Sequence, residues 1–353
     1  MSLSKEEQER YSRHLLMQEF GLEAQSKLKA AKVLVVGAGG LGCPGLLYLT
    51  AAGVGTIGIA DDDVVNLSNL QRQILFNTQD VGLLKAETAK SHLQTKNPFI
   101  QIDTHPRITN ENVFHILEKY DLIIDGSDNF STRYLLNDAC VIVNKPYIYG
   151  ALFKFEGQVS TFNYQSGPTY RCLYPEAPPA DEVPGCGEAG VLGVLPGIIG
   201  TWQATEAIKV ITGIGEPLSG KLLTMNLLAN DINIISFKAN PLNREIKDLR
   251  HYGEFCKSIP DAITYEVLND WLEKDDIQLI DVREEYEFER YNIGGLNIPF
   301  SELEENMALL QSNKKTVVLC QTGSRSLKAL AILKSQMPSL EIYNLKDGLQ
   351  ATF

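Results

Sequence analysis

The sequence predicts an α/β protein, a doubly wound sheet followed by a second, smaller α/β unit. Three observations lead there. Short β-branched runs alternate with helical stretches along most of the chain. The early runs end in glycine or aspartate, the residues that face ligands at the carboxyl edge of such sheets. The length of 353 residues, at roughly 150 per domain, suggests about two domains. Hydrophobic residues make up 44% and charged residues 22%, an ordinary globular balance that can bury a core and disfavours disorder. No stretch approaches the roughly 18 apolar residues of a membrane span. The first ten residues are polar and acidic with no apolar run, so the expected location is the cytoplasm. A net charge of -12 argues against a nucleic-acid footprint.

The elements come in order. Residues 32–36 (Lys-Val-Leu-Val-Val) read as a buried parallel strand. It runs into Gly37-Ala-Gly-Gly-Leu-Gly42, then an apolar helix over 46–52 and a turn at Gly53-Val-Gly55. Residues 56–60 form the next strand, closed by Asp61-Asp-Asp63, and 121–125 form a later one. The proline-rich stretch 168–184 cannot be helix or central strand and reads as a long surface loop. An amphipathic helix is expected over 197–211, closed by Gly213. A break near 240–260 separates a second rhythm: strands at 279–282 and 316–319, and a helix at 326–336. Residues 261–353 hold 9 Lys plus Arg against 16 Asp plus Glu, so this part is acidic as well. The expected division is 1–245, a linker over 246–260, and 261–353.

Gly37, Gly39 and Gly42 fit a dinucleotide fingerprint between a strand and a helix. Such a turn lets backbone N–H groups and a helix N-terminus approach phosphate. Asp61 ends the next strand, where an acid bonds a ribose hydroxyl. Taken alone, this points to a nicotinamide- or flavin-dependent oxidoreductase. The residues beyond Asp61 argue otherwise. Asn69, Arg72 and Lys85 come soon after the ribose acid, and Asp125, Asp128 and Asn129 end a later strand at the same edge. Hydride transfer needs no such cations, whereas phosphoryl chemistry must stabilise charge on three phosphates. ATP suits this set, with one of the carboxylates holding Mg²⁺.

The motifs Arg10-Tyr-Ser-Arg13-His, Gly37-Ala-Gly-Gly-Leu-Gly42, Asp61-Asp-Asp63, Leu67-Ser-Asn-Leu-Gln-Arg-Gln73, Gly82-Leu-Leu-Lys85 and Ser127-Asp-Asn129 run in one order. Glu156-Gly-Gln158 and Cys186-Gly-Glu-Ala-Gly-Val191 come after them. Over about residues 5–245 this series resembles the MoeB/ThiF family, bacterial relatives of ubiquitin-activating enzymes. The resemblance implies a Rossmann-like sheet and Mg-ATP-dependent adenylation of the C-terminal glycine of a small ubiquitin-like sulfur carrier ending in Gly-Gly. It implies an ATP site of Gly40, Asp61, Asn69, Arg72, Lys85 and Asp128. Arg13 would reach the phosphates of the partner subunit in a homodimer. Many members hold zinc through two C-x-x-C pairs. Here the first would begin at Cys172 but runs Cys-Leu-Tyr-Pro175, and Asn240-Pro-Leu-Asn243 stands near the second, so no zinc is expected. Cys186 matches a family cysteine capable of a covalent link to the carrier. Cys43, Cys140 and Cys172 read as core or semi-buried thiols.

Cys320-Gln321-Thr322-Gly323-Ser324-Arg325 lies between a strand and a helix. N–H groups of such a loop and the helix N-terminus stabilise an anionic sulfur. With Asp281-Val-Arg283-Glu284, Glu287 and Ile293-Gly-Gly, the segment 261–353 resembles a rhodanese-like domain. Asn292 replaces the usual histidine. A phosphatase cradle, in which an arginine comes after the cysteine in a Cys-x5-Arg pattern, is the alternative. The joint reading is an adenylyltransferase with sulfurtransferase activity. The first domain activates the carrier carboxylate, and a persulfide on Cys320 then gives a thiocarboxylate for molybdopterin, thiamin or tRNA thiolation. The donor would be a cysteine desulfurase or thiosulfate. Neither nucleic acid nor membrane is an expected partner. A docking or regulatory rhodanese module and a non-enzymatic scaffold are the competing readings, and a nicotinamide-dependent reductase is disfavoured.

Overall fold

The computed structural model describes residues 2–176, 190–250, 261–274, 277–321, 323–346 and 348–349. The chain divides into two compact units, 1–255 and 256–353. Both are α/β, as the alternating runs predict.

In the first unit, a capping box between Ser4 and Glu7 starts α1 (Lys5–Arg10), and α2 (Ser12–Leu15) and α3 (Gly21–Ala30) come next. The eight strands are β1 (Lys32–Val36), β2 (Thr56–Ala60), β3 (Gln101–His105), β4 (Leu122–Asp125), β5 (Tyr147–Phe153), β6 (Glu156–Phe162), β7 (Lys221–Asn226) and β8 (Asp231–Ser236). They lie in the order β3-β2-β1-β4-β5-β6-β7-β8. The first five pair in parallel and β5 to β8 pair antiparallel. Strands β1, β2 and β4 are apolar and almost wholly buried, as parallel strands covered on both faces must be. Two helices flank the turn after β1: α4 (Gly42–Ala52), which starts earlier than the apolar run suggested, and α5 (Lys85–Lys96). The helices α6 (Val113–Leu117) and α7 (Phe130–Ile142) pack beside β4. Gly53 caps α4 in the left-handed region, which costs glycine nothing.

Three expectations change. The antiparallel half of the sheet has no clear signal in the sequence, because β6 to β8 carry Thr, Ser, Asn and Lys among their apolar residues. The helix expected at 197–211 is α8 (Val194–Thr212), three residues longer at its start, and it is not simply amphipathic. It buries Leu195, Ile199, Gln203, Ala204, Glu206 and Ala207, so it is covered on more than one face. Its tight crossing of α4 explains one of its glycines: a Cβ at Gly200 would lie 2.1 Å from the Leu41 carbonyl oxygen. The stretch from Pro168 is not a loose surface loop at its start. Residues 170–172 form a 3-10 turn, and the buried Arg171 there makes a bidentate ion pair with the buried Asp138, both bonds 2.7 Å. Pro178, Pro179, Pro184 and Cys186 lie outside the described residues.

The second unit is an all-parallel sheet in the order β11-β10-β12-β13-β9. Its strands are β9 (Ala262–Ile263), β10 (Ile277–Asp281), β11 (Leu296–Asn297), β12 (Lys315–Leu319) and β13 (Ile342–Leu345). The helices α9 (Tyr265–Glu273), α10 (Glu285–Arg290) and α11 (Ser324–Gln336) complete it. Two apolar clusters, one holding Val318, Leu330 and Leu333 and the other Leu268, Val317 and Leu319, fill its interior. Each fully buried Leu or Val contributes about 1.5–3 kcal/mol. No described helix is long and apolar enough to cross a membrane.

Candidate functional site

The first site is a consequence of register. Val36 of β1 pairs with Ala60 of β2 on one side and Asp125 of β4 on the other. Gly37, Asp61 and Gly126 therefore leave the sheet side by side. Gly37 has φ 91°, and a Cβ there would lie 2.8 Å from the Gly126 carbonyl oxygen. A Cβ on Gly42 would lie 1.9 Å from the Gly37 oxygen. Only glycine fits either position, so the fingerprint spacing has a steric cause. Asp61 fastens the turn: its Oδ2 accepts from Ala38 N at 2.7 Å and its Oδ1 from Asp63 N at 2.9 Å. Burial raises its pKa, while Lys85 and the two backbone donors oppose that shift.

The cations gather around this turn. A Cβ on Gly40 would meet the Arg72 Cγ at 3.4 Å and Pro196 of α8 at 3.1 Å. Arg72 is half-buried and donates from Nη1 to the Ser68 carbonyl at 3.2 Å. Lys85 opens α5 almost fully buried, its Nζ 2.8 Å from Asp63 Oδ2. Asp63 thus links the lysine to the Asp61 turn. The acidic run 61–63 was visible in the sequence, but its 22-residue reach to Lys85 was not. Asn69 closes a 3-10 turn, its Oδ1 accepting from Asn66 N at 3.2 Å. Gln73 lies just beyond, only 4% exposed, and its Oε1 has no hydrogen-bond partner among the described residues. An unpaired buried polar group costs about 1–3 kcal/mol.

Past β4, the buried Asp125 accepts from Ser127 N at 2.9 Å, from Ser127 Oγ at 2.5 Å and from the Tyr147 hydroxyl. Burial raises its pKa and the neighbouring Arg133 counters this. Asp128 stands exposed one residue further on. Asn129 is the N-cap of α7, its Oδ1 taking Thr132 N at 2.9 Å. Among the described residues, Asp61, Asp62 and Asp63 alone form a group of three possible metal-ligating side chains, and two of them already serve backbone amides and Lys85. Arg13 is not drawn into this cluster; it lies exposed on α2.

At the position of the incomplete C-x-x-C pair, where no zinc is expected, Cys172 Sγ is met by Asn240 N at 3.2 Å, Thr169 N at 3.4 Å and Asn243 Nδ2 at 3.4 Å. These are donors to sulfur, and an amide N–H offers no lone pair to a metal. Leu249 packs on the same unit and Arg250 accepts from Asn110 Nδ2 at 2.9 Å.

The second site lies at the carboxyl end of β12. Cys320 is buried, with Ser326 N and Oγ each 3.4 Å from its Sγ. Gly323, at φ 85°, turns the loop into α11. The base is closed by Leu349 N, which donates to the Cys320 carbonyl at 2.9 Å. A Cβ at Gly348 would lie 2.4 Å from that oxygen, which accounts for the glycine there. Arg325 forks onto Glu287 at 2.6 and 2.7 Å, and this bond holds the carboxyl below its usual range. The fully buried Arg283 forks onto Asp281 and donates to Gln321 Oε1 at 3.2 Å. Thr322 lies outside the described residues. The phosphatase alternative is disfavoured twice. Four residues, not five, separate Cys320 from Arg325, and the guanidinium fork that would clasp phosphate is taken by Glu287.

Comparison with known proteins places each unit in a family. Residues 11–245 match the ThiF family and residues 264–352 match the rhodanese-like domain. A probable adenylyltransferase/sulfurtransferase, MoeZ, of Mycobacterium tuberculosis is 45% identical over 368 residues, covering 99% of this chain and 94% of that one. A sulfur carrier protein adenylyltransferase of Thermus thermophilus is 49% identical over 271 residues, covering 72% of this chain and 99% of its own. Among solved structures, E. coli MccB with ATP is similar at a TM-score of 0.57 and 26% identity, over 66% of this chain and 73% of that one.

Proposed function

The chain belongs to the ThiF family and carries a rhodanese-like domain behind it; it is an adenylyltransferase/sulfurtransferase, and from that premise we propose how its residues divide the work. ATP binds at the Gly37–Gly42 turn with its ribose toward Asp61. Gly39, Gly40, Asn69 and Asn129 line the site, and Arg72 and Lys85 offset phosphate charge. A ubiquitin-like carrier ending in Gly-Gly presents its terminal carboxylate, whose oxygen attacks the α-phosphorus while pyrophosphate leaves. No side chain need become covalent in that step, so positioning and charge stabilisation suffice. Asp128, an exposed carboxylate at the β4 edge, fits as a ligand for Mg²⁺, which supplies further charge neutralisation when bound. Arg13 serves the partner subunit of a homodimer, consistent with its exposed place on α2. Cys320 carries the sulfur as a persulfide, whose outer sulfur attacks the adenylated carbonyl with loss of AMP; a further thiol then attacks the Cys320 sulfur, so that the S–S bond breaks, the carrier leaves as a thiocarboxylate, and the disulfide formed with Cys320 is reduced by an external thiol. Cys186 is the residue for a covalent carrier link. The sulfur comes from a cysteine desulfurase or thiosulfate, and the setting is the cytoplasm. Zinc has no part, given the donors around Cys172.

The observation that carries the adenylation reading is the approach of Arg72 to Gly40, with Lys85 tied to the same turn through Asp63. Arg72→Ala and Lys85→Ala are each expected to cut carrier-dependent ATP–pyrophosphate exchange by about 100-fold or more without unfolding the protein, as loss of a charge-stabilising donor does. Near-wild-type exchange in both variants overturns the assignment.

A further inference from the structure

Two arginines stand near the Cys320 loop, and each guanidinium fork is already filled by a carboxylate. Arg283 is fully buried. It gives Nε and Nη2 to Asp281, Nη2 also to the Tyr291 carbonyl at 2.7 Å, and Nη1 to Gln321 Oε1 at 3.2 Å. Arg325 lies in the first turn of α11 and gives Nη1 and Nη2 to the two oxygens of Glu287 at 2.6 and 2.7 Å. These two side chains keep 28% and 21% of their exposure, so the pair stands at the rim of the loop and not in the core.

Glu287 is fixed from its own side as well. It is the third residue of α10, and its Oε2 accepts from Glu284 N at 3.0 Å in a capping box. The bond from Arg325 holds its carboxyl below the usual range, burial opposes this, and the backbone donor adds to it. The carboxylate is therefore ionised at neutral pH. Arg325 also feels the thiol. Glu287 raises its pKa most, burial opposes that, and the charges of Glu287, Cys320 and Glu284 add to the rise. Around the pair the surface is acidic: Glu284, Glu285 and Glu289 are exposed on α10 and its N-cap, against Arg290. Lys346, at the end of the neighbouring β13, is exposed and screened by solvent.

We propose that Glu287 decides which sulfur donor loads Cys320: by neutralising Arg325 it turns away thiosulfate, a small dianion, and leaves the loop to a persulfide. This rests on the proposed sulfur-carrying role of Cys320. Both donors load the thiol by the same displacement. With thiosulfate, the Cys320 thiolate attacks the outer sulfur, the S–S bond breaks and the electron pair leaves on sulfite. With a persulfide, the same attack on the outer sulfur releases a thiolate. Neither route needs an outside oxidant or reductant. They differ in charge. Sulfite departs as a dianion and calls for a cation beside the loop, whereas a thiolate carries one charge and takes a proton from water. The Arg325 cation already has its counter-charge, so thiosulfate meets a neutral pair and an acidic rim. Like charge set against one substrate is a source of specificity.

The test is Glu287→Gln, which keeps length and an accepting oxygen but removes the charge. Full-length protein is loaded with thiosulfate or with cysteine persulfide, and the peptide holding Cys320 is followed by mass spectrometry for the gain of one sulfur atom. The readout is the ratio of the two second-order loading rates, thiosulfate over persulfide. Both rates come from one preparation, so partial unfolding moves them together and leaves the ratio. Glu287→Gln is expected to raise it about 10-fold, the scale of one unit charge removed close to a half-buried cation. Adding Arg325→Gln to that variant should return the ratio close to the wild-type value, a reversal that a merely structural role of Glu287 does not give. An unchanged ratio in Glu287→Gln, or a rise that persists in the double variant, overturns the inference. If Cys320→Ala abolishes thiocarboxylate formation while the Glu287→Gln ratio is unchanged, the role of Cys320 stands and Glu287 alone is refuted. If Cys320→Ala still thiolates the carrier, the role of Cys320 fails and the inference with it.

Discussion

Cys172 shows how a single side chain can be read twice. In the sequence it is the survivor of an absent metal motif, and in the fold it is a sulfur ringed by N–H donors. Burial pushes its pKa up, but hydrogen bonds from Thr169, Asn240 and Asn243 outweigh this and the thiol titrates below its usual range. Cys43 has the opposite fate, since burial drives it up to about 12. Cys140, wholly buried, is raised as well. The thiolate is the reactive form. A lowered pKa gives Cys172 a larger thiolate fraction at a given pH, and a raised one leaves Cys43 neutral throughout the physiological range. Iodoacetamide at neutral pH should therefore label Cys172 in the native protein and spare Cys43 and Cys140. The Cys172 rate should decline only at a pH below that of a thiol in an unstructured peptide. Peptide mapping by mass spectrometry at several pH values checks this, and equal labelling of the three cysteines contradicts it.

At the scale of elements, the turn from β1 to α4 and the start of α8 meet at Gly40 and Pro196. Their glycines are not equivalent. A methyl group at Gly42 has nowhere to go, because the Gly37 carbonyl is rigid backbone. Gly197 lies inside α8 with nothing within 4 Å of an added Cβ. Gly42→Ala should destabilise the first unit by about 1–3 kcal/mol, as overpacking does. Gly197→Ala should stabilise it by about 0.5–1 kcal/mol, because alanine loses less backbone entropy in a helix. Denaturant unfolding of the two variants decides the point, and equal effects would show that the turn is laxer than its geometry implies.

For the whole molecule, the two chemistries occupy separate compact units and use different groups. In the proposed division, cations and backbone amides serve phosphate in the first, and a strand-end thiol serves sulfur in the second. Cys320→Ala should therefore leave pyrophosphate exchange at the wild-type rate. It should abolish the replacement of one carrier oxygen by sulfur, read as the mass of the carrier after incubation with ATP and a persulfide or thiosulfate donor. Undiminished thiocarboxylate in that variant would make the second unit a docking or regulatory module and turn attention to Cys186.

The sequence by itself determined the α/β class, the bounds of β1 and β2, the glycine turn and the thiol loop. Each of these is a local matter. A buried strand is a run of adjacent β-branched residues, and a glycine turn is a spacing along one short segment. Tertiary structure decided the rest. Strands β6 to β8 are placed by pairing and packing rather than by a run of their own, and the burial of α8 depends on what covers it. Likewise Lys85 finds Asp63, Gln73 finds Gly39 and Arg325 finds Glu287 across 22, 34 and 38 positions. Those partners meet because register brings the carboxyl ends of parallel strands to one edge, and it is the three-dimensional path of the chain that selects which polar groups share that edge.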